Sequence, residues 1–232
     1  MYYLMKNKLL IVLLIIIAFS FNLKADIGFE FLGGLSTPSD KIGDVYNSNL
    51  KVNDITFKTS KDYLFESAKL GYHIGAKLRL PVDENFVFTG GFLWNRFPET
   101  SITLLVPTNG NTKIDTVILS TNQNIIPLSV GLNVVLFKKF VGIYATGDLS
   151  YNYIQTTVDY TLKGVDIPLN LSPTTARVGA GLGFGLDFDF DLVTLNLECK
   201  YNFANLIGKE GNEPSKNYLN LTFGVVFGGK AK

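Results

Sequence analysis

Very little in this chain is equipped for chemistry. Its 232 residues include one cysteine, Cys199, and one histidine, His73. A single thiol excludes an internal disulfide framework and any CxxC metal or redox motif. A single imidazole excludes sites built on two. Charge is scarce: Asp, Glu, Lys and Arg make up 18% of the residues, below the roughly 25% of ordinary soluble domains. The 21 Lys and Arg nearly cancel the 20 Asp and Glu, so no electrostatic field argues for nucleic acid as a partner. No fixed-period repeat is visible. Aromatics, by contrast, reach 13%, a content incompatible with intrinsic disorder.

Residues 1–25 read as a signal peptide. Lys6 and Lys8 precede an apolar run from Leu9 to Phe21 that only Ser20 interrupts. A helical bilayer span needs about 20 such residues, so the run suits an export signal. Ala25 offers a small residue for cleavage, which sets the expected mature start at Asp26. No cysteine lies near that junction, which argues against lipoprotein processing. Without Lys6, Lys8 and Lys24 the mature chain carries 18 bases against 20 acids. Beyond Phe21 no segment approaches 18 uninterrupted apolar residues, so any later membrane crossing has to be made by strands.

Eight stretches alternate with the period of two that places residues i and i+2 on one face of a strand. Ile27, Phe29 and Phe31 share a face in the first. Tyr72, Ile74, Ala76, Leu78 and Leu80 oppose His73, Gly75, Lys77 and Arg79 in the second. Phe86, Phe88, Phe92 and Trp94 align in the third, and Ile126 to Leu136 in the fourth. Val141, Ile143 and Leu149 oppose Tyr144, Thr146 and Asp148 in the fifth. Val178, Ala180, Leu182, Phe184 and Leu186 oppose Arg177, four glycines and Asp187 in the sixth. Leu195, Leu197, Cys199, Tyr201 and Phe203 oppose Asn196, Glu198, Lys200 and Asn202 in the seventh. Leu219 to Phe227 completes the series against Asn220, Thr222 and Gly224.

A soluble barrel would show the same period with its apolar face inside. Three features favour apolar faces outside. Gly179, Gly181, Gly183 and Gly185 fall on one polar face, where glycine suits a crowded narrow interior better than a wet surface. Charges on those faces come in both signs, Glu30, Asp148, Asp187 and Glu198 against Lys77, Arg79, Arg177 and Lys200, so buried partners are available. The connections also alternate in length. Pro81–Asn85, Lys138-Lys139 and Asp189–Asp191 are short, whereas Leu35–Gly71, Arg96–Ile125, Asn152–Thr175 and Ala204–Asn217 are long.

The same polarity sorts the aromatics into two expected interfacial girdles. Phe86, Phe137, Phe140, Phe188 and Phe227 fall at the short-turn end. Tyr72, Trp94, Tyr151, Tyr153, Tyr201 and Phe203 fall at the long-loop end. Phe86 to Trp94 spans about 26 Å of strand, roughly 20 Å along the axis at a tilt of about 40°, close to the apolar band of an outer-membrane barrel.

This pattern resembles the small outer-membrane β-barrel proteins of the OmpA-transmembrane-domain and OmpX kind, over Asp26 to about Gly228. The resemblance implies an all-β, up-and-down antiparallel transmembrane barrel of eight strands over residues 26–228. A short tail, 229–232, follows. It implies a porin-like location in the cell outer membrane, with outer-membrane lipid and the assembly machinery as partners. It carries no catalytic motif. Such barrels commonly finish on an aromatic, whereas here Gly-Gly-Lys-Ala-Lys follows Phe227.

Two long loops carry further strand signals. Ser101–Val106 and Thr112–Ser120 flank Asn109-Gly110, and Thr156–Leu162 and Val165–Leu171 flank Lys163-Gly164. Both read as hairpins continuing above the bilayer, or as extra wall strands that would raise the count to ten or twelve. Val52–Phe57 reads as one more short strand.

No reading for chemistry survives. His73 lacks the Ser two residues on that PagL-type lipid A deacylases carry, since Gly75 stands there. The glycine run at 179–185 has Phe184 where a dinucleotide fingerprint needs Gly. Asp187, Asp189 and Asp191 lack the Gly and distal Glu of a calcium loop. No cofactor and no metal is therefore expected. The expected structural site is a lumen charge network of Glu30, Lys77, Arg79, Asp148, Arg177, Glu198 and Lys200. The expected role is non-enzymatic: envelope integrity, or contact with a surface or envelope protein through the loops. Two alternatives are transport of small hydrophobic solutes through a vestibule of Leu104, Leu105, Val117 and Ile118, and service as an accessory to an envelope secretion or assembly system.

Overall fold

Strict alternation leaves each strand one greasy face and one polar face, and closing the sheet on itself satisfies both while removing every edge. A computed structural model describes residues 27–38, 50–52, 55–57, 70–108, 113–162, 165–171, 174–190, 192–209, 213 and 215–229. The expected signal peptide, both loop-hairpin turns, Asp191 and the last three residues of the tail lie outside them.

Eleven strands are formed: β1 (Gly28–Pro38), β2 (Leu50–Val52), β3 (Ile55–Phe57), β4 (Gly71–Pro81), β5 (Phe86–Thr108), β6 (Lys113–Lys138), β7 (Val141–Leu162), β8 (Val165–Leu171), β9 (Thr174–Asp189), β10 (Thr194–Ile207) and β11 (Asn217–Phe227). Eight of them make the wall, in the order β1-β4-β5-β6-β7-β9-β10-β11, and β1 pairs antiparallel with β11 to close it. β8 pairs only with β7 and stands outside the wall. The structure therefore realises eight wall strands, and the count of ten or twelve is not adopted. The expected single strand at Val52–Phe57 is instead a two-stranded ribbon, with Leu50 opposite Phe57 and Val52 opposite Ile55.

Apolar faces look outward. Leu182 is 63% exposed, Phe184 67% and Phe223 50%, whereas Glu198, Lys200 and Asn196 of the neighbouring strand are buried. The turn before β5 is fixed by Asp83, whose carboxylate accepts the backbone N–H groups of Asn85 (2.7 Å) and Phe86 (2.9 Å), a short-range bond typical of Asp in turns.

Two irregularities shift the parity that alternation alone assigns. Between Phe97 and Thr100 the β5–β6 register slips by one residue. Pro98 sits in that slip, where its missing N–H breaks no ladder bond. A second slip between Val135 and Phe137 of β6 leaves both Leu136 and Phe137 exposed. Regular alternation would have sent one of them inside.

The interior is not wholly polar. Leu32, Leu93 and Val226 are buried, and at the long-loop end Phe97, Ile125, Ile154, Ala204 and Tyr218 form an apolar cluster inside the barrel. Phe97 and Tyr218 meet edge to face with centroids 5.7 Å apart.

Candidate functional site

A narrow eight-stranded barrel has room for side chains and little else. Each charged side chain on an inward position must therefore find its partner across the lumen. Lys77 of β4 donates to both carboxylate oxygens of Glu198 on β10, at 2.9 and 2.8 Å. Arg79 of β4 donates through two nitrogens to Asp187 of β9, a fork-shaped pair. Lys200 of β10 donates to Asp148 of β7 at 2.6 Å and lies 3.7 Å from Glu198. Glu198 thus sits between two ammonium groups.

Tyr144 links these pairs. Its hydroxyl donates to Glu198 (3.2 Å) and accepts from Asn196 Nδ2 (2.7 Å), which also donates to Asp187 (2.7 Å). The Arg79 guanidinium lies 5.7 Å from the centre of the Tyr144 ring, within cation–π range. The result is an unbroken series of contacts from Arg79 through Asp187, Asn196, Tyr144, Glu198 and Lys200 to Asp148.

Glycine makes the space. A Cβ on Gly185 would overlap the Tyr144 ring and hydroxyl, and one on Gly224 would overlap the Glu30 carboxylate. Gly185 of β9 and Gly224 of β11 are therefore recesses into which large polar side chains from other strands fit.

Two expected members of the network sit elsewhere. Glu30 is buried, but no cation among the described residues lies within 4.0 Å of it, and its Oε1 has no hydrogen-bond partner. Its cross-strand neighbour Lys77 is committed to Glu198. Arg177 belongs to the long-loop mouth, where its Nε donates to Glu213 at 2.8 Å. Glu213 also accepts from Asn205 (3.0 Å), and Asn205 in turn accepts the backbone N–H of Lys216 (2.8 Å). This cluster ties the last long loop to β9 and β10.

A second polar layer had His73, Asn220 and Thr222 as its sequence signals. His73 Nδ1 lies 3.0 Å from Ser36 Oγ, and Nε2 lies 3.0 Å from Thr222 Oγ1. Ser36 and Asn220 both donate to Asn95 Oδ1 at 3.1 Å. A serine beside a histidine invites a catalytic reading. Here, however, the second ring nitrogen meets a threonine where a carboxylate would be needed, and Ser36 is 0% exposed. Among the described residues no three His, Cys, Asp or Glu side chains group as metal ligands.

At the short-turn end the lumen opens into a cavity of about 250 Å³, lined by Arg79, Asp83, Tyr144, Asp187 and Thr194 among others. Its lining residues Arg79, Tyr144 and Asp187 belong to the charge series. Cys199 shares the outward positions of Leu197 and Tyr201 and is free.

The aromatics flank the outward face. Phe86, Phe137, Phe140 and Phe227 are exposed at one end, with Phe188 half-buried beside them. Lys139 lies over the Phe137 ring at 5.6 Å. At the other end Tyr151 is exposed, Trp94 meets Tyr72 edge to face at 6.0 Å, and Tyr201 meets Phe203 at 4.9 Å.

The proposed solute vestibule is divided by register. Leu104 stands opposite Val117, but Leu105 stands opposite Thr116 and Ile118 opposite Thr103. Consecutive positions lie on opposite sheet faces, so the four residues do not share one surface.

Residues 20–227 match the family model described as outer membrane protein beta-barrel domain. A search of curated proteins finds no match. Among solved structures the chain is similar to Ail, the attachment invasion locus protein of Yersinia pestis, at 12% identity over 88% of this chain and 99% of that one, TM-score 0.44. It is similar to Neisserial surface protein A at 12% identity over 88% and 96%, TM-score 0.44. It is also similar to the N-terminal β-barrel domain of Pseudomonas aeruginosa OprF at 9% identity over 88% and 98%, TM-score 0.39.

Proposed function

Because this chain belongs to the outer membrane protein beta-barrel domain family, we propose that it is a non-enzymatic outer-membrane barrel with a filled lumen, working through its long-loop surface. The observation that carries this reading is the series of contacts from Arg79 to Asp148, which crosses the interior from β4 to β7 and supports a filled lumen. A side chain held by two or three partners is a poor gate and a good brace. The bilayer grips the outer face, the ions and glycines hold the inner one, and function is left to the strands that rise beyond the wall. Contact with another surface or envelope protein, or support of envelope integrity, fits that division. The lipid and the assembly machinery are the partners the wall itself requires.

Planar-bilayer recording tests the filled lumen. Purified protein gives no steady open-pore conductance at neutral pH. A large stable conductance from the unmodified chain would overturn the reading in favour of transport.

A further inference from the structure

The outward face of the wall is not smooth. Two rows of apolar side chains run across it from strand to strand, set by the ladder registers. Ile143 of β7, Leu186 of β9, Leu197 of β10 and Phe223 of β11 form one row. Phe184 of β9, Cys199 of β10, Leu221 of β11 and Leu35 of β1 form the other. Together they line an open groove of about 630 Å³, within the range of roughly 300–1,000 Å³ that small-ligand sites occupy. Gly34, Gly185, Glu198 and Thr222 line it too. Their positions are inward ones, so the floor of the groove is sheet backbone. Cys199, the smallest side chain of the two rows, deepens it between Phe184 and Leu221, which are 67% and 48% exposed.

The groove climbs across the wall. It starts at Ile143, two residues past the start of β7, and ends at Leu35, seven residues past the start of β1. That difference is about 16 Å of strand, so the groove rises from the short-turn end toward the middle of the bilayer. Four strand-to-strand steps of about 4.8 Å give it a length of roughly 19 Å. One leaflet contributes about 15 Å to a hydrocarbon core. The groove therefore matches a single acyl chain in length as well as in chemistry.

A cation stands at its lower end. Ile143 is opposite Phe137, and Lys139 Nζ lies 5.6 Å from the Phe137 ring centre. Lys139 is exposed, and among the described residues no acid pairs with it. Asp187 is held by Arg79, and Asp189 accepts from Thr194 at 2.6 Å. Phe140 and Phe190, on the two adjoining turns, meet edge to face at 6.2 Å. The ammonium is thus set in an aromatic rim, at the level where such rings meet lipid headgroups, and a lysine there is placed for a phosphate.

We propose that this groove seats one anionic phospholipid from the leaflet at the short-turn end, with an acyl chain between the two rows and the phosphate on Lys139 beside Phe137. The proposal rests on the wall facing lipid. It requires neither the filled lumen nor a role for the long loops.

Quenching of tryptophan fluorescence by brominated phospholipids tests it. A Trp94→Phe, Phe223→Trp variant reports from the groove, and a Trp94→Phe, Phe88→Trp variant from β5, outside it. Each is refolded into phosphatidylcholine vesicles that contain a small fraction of brominated phosphatidylglycerol or, in parallel, of brominated phosphatidylcholine. The groove reporter is expected to see phosphatidylglycerol enriched about five-fold, the effect of roughly one lysine at a charged membrane surface. The β5 reporter sees no enrichment. Adding Lys139→Gln abolishes the enrichment at the groove, and so does adding Cys199→Phe, which fills the groove without touching the turn. Heat-modifiable gel migration identifies the folded fraction of each variant. Equal quenching by the two lipids at the groove, or the same enrichment at both reporters, would overturn the proposal. So would displacement by lipid A but not by unbrominated phosphatidylglycerol, or quenching that fades as protein density rises, which would make a second copy the occupant. Absence of quenching by any brominated lipid would remove the lipid-facing wall itself, and the proposal with it.

Discussion

Lys77 and Glu198 face each other across the barrel interior, 2.8 Å apart, from strands separated in the wall by β1 and β11. The pair therefore bridges the lumen between strands three steps apart in the eight-stranded ring, and Lys200 approaches the same carboxylate at 3.7 Å. Removing Glu198 leaves two buried ammonium groups facing one another. Glu198→Ala is expected to cost about 3–5 kcal/mol, the usual penalty for breaking a buried pair on one side only. Urea unfolding in vesicles, followed by gel migration, measures it. Replacing Lys77 and Glu198 together with methionine is expected to cost much less, because no orphaned charge remains.

Gly185 and Tyr144 compete for one volume. Gly185→Val is expected to abolish folding of most of the protein, since backbone on a central strand cannot step aside. Adding Tyr144→Ala restores a folded fraction by vacating the recess. Recovery of the heat-modifiable band reads this out.

Arg177→Ala acts at the mouth, not in the central series. It leaves Glu213 buried without the guanidinium. The expected effect is faster tryptic cleavage at Lys209 and a modest loss of stability, smaller than that of Glu198→Ala, with no conductance gained. Equal losses for the two variants would contradict the separation of mouth from lumen.

Charge on the lipid face is expected to be costly with depth. Leu182→Arg falls midway between Tyr151 and Phe188 along the β7–β9 ladder, where an arginine costs about 2–4 kcal/mol. Ile207→Arg, beyond the outer girdle, is expected to cost about 1 kcal/mol or less. Refolding into vesicles followed by urea titration compares them.

Much of the wall is readable in the sequence because β10 alternates without exception from Leu195 to Phe203 and β11 from Leu219 to Val225, and a period of two has one meaning for a strand. What escapes is whatever depends on distance along the chain. Parity places Arg79 and Asp187 inside, but their meeting follows from a register between strands that are 108 residues apart. Glu213 lies in a loop with no period to reveal it. Glu30 has the right parity but no ion-pair partner among the described residues, because Lys77 serves the better-placed Glu198. The slip at Pro98 inverts parity beyond it, which is why Leu104 and Leu105 cannot be assigned to faces by counting from Trp94. The apolar cluster around Ile125 is hidden in a stretch, Ile125-Ile126, where either residue could have faced inward.

The central claim is that aliphatic and aromatic side chains face lipid while ions and glycines fill the inside. The chain has one tryptophan, Trp94, so a Trp94→Phe, Phe184→Trp variant reports from mid-wall alone. Reconstituted into phospholipid vesicles brominated at graded acyl depths, its fluorescence is predicted to be quenched most by the deepest bromines and little by aqueous iodide. Quenching by iodide with no response to brominated lipid would contradict the account.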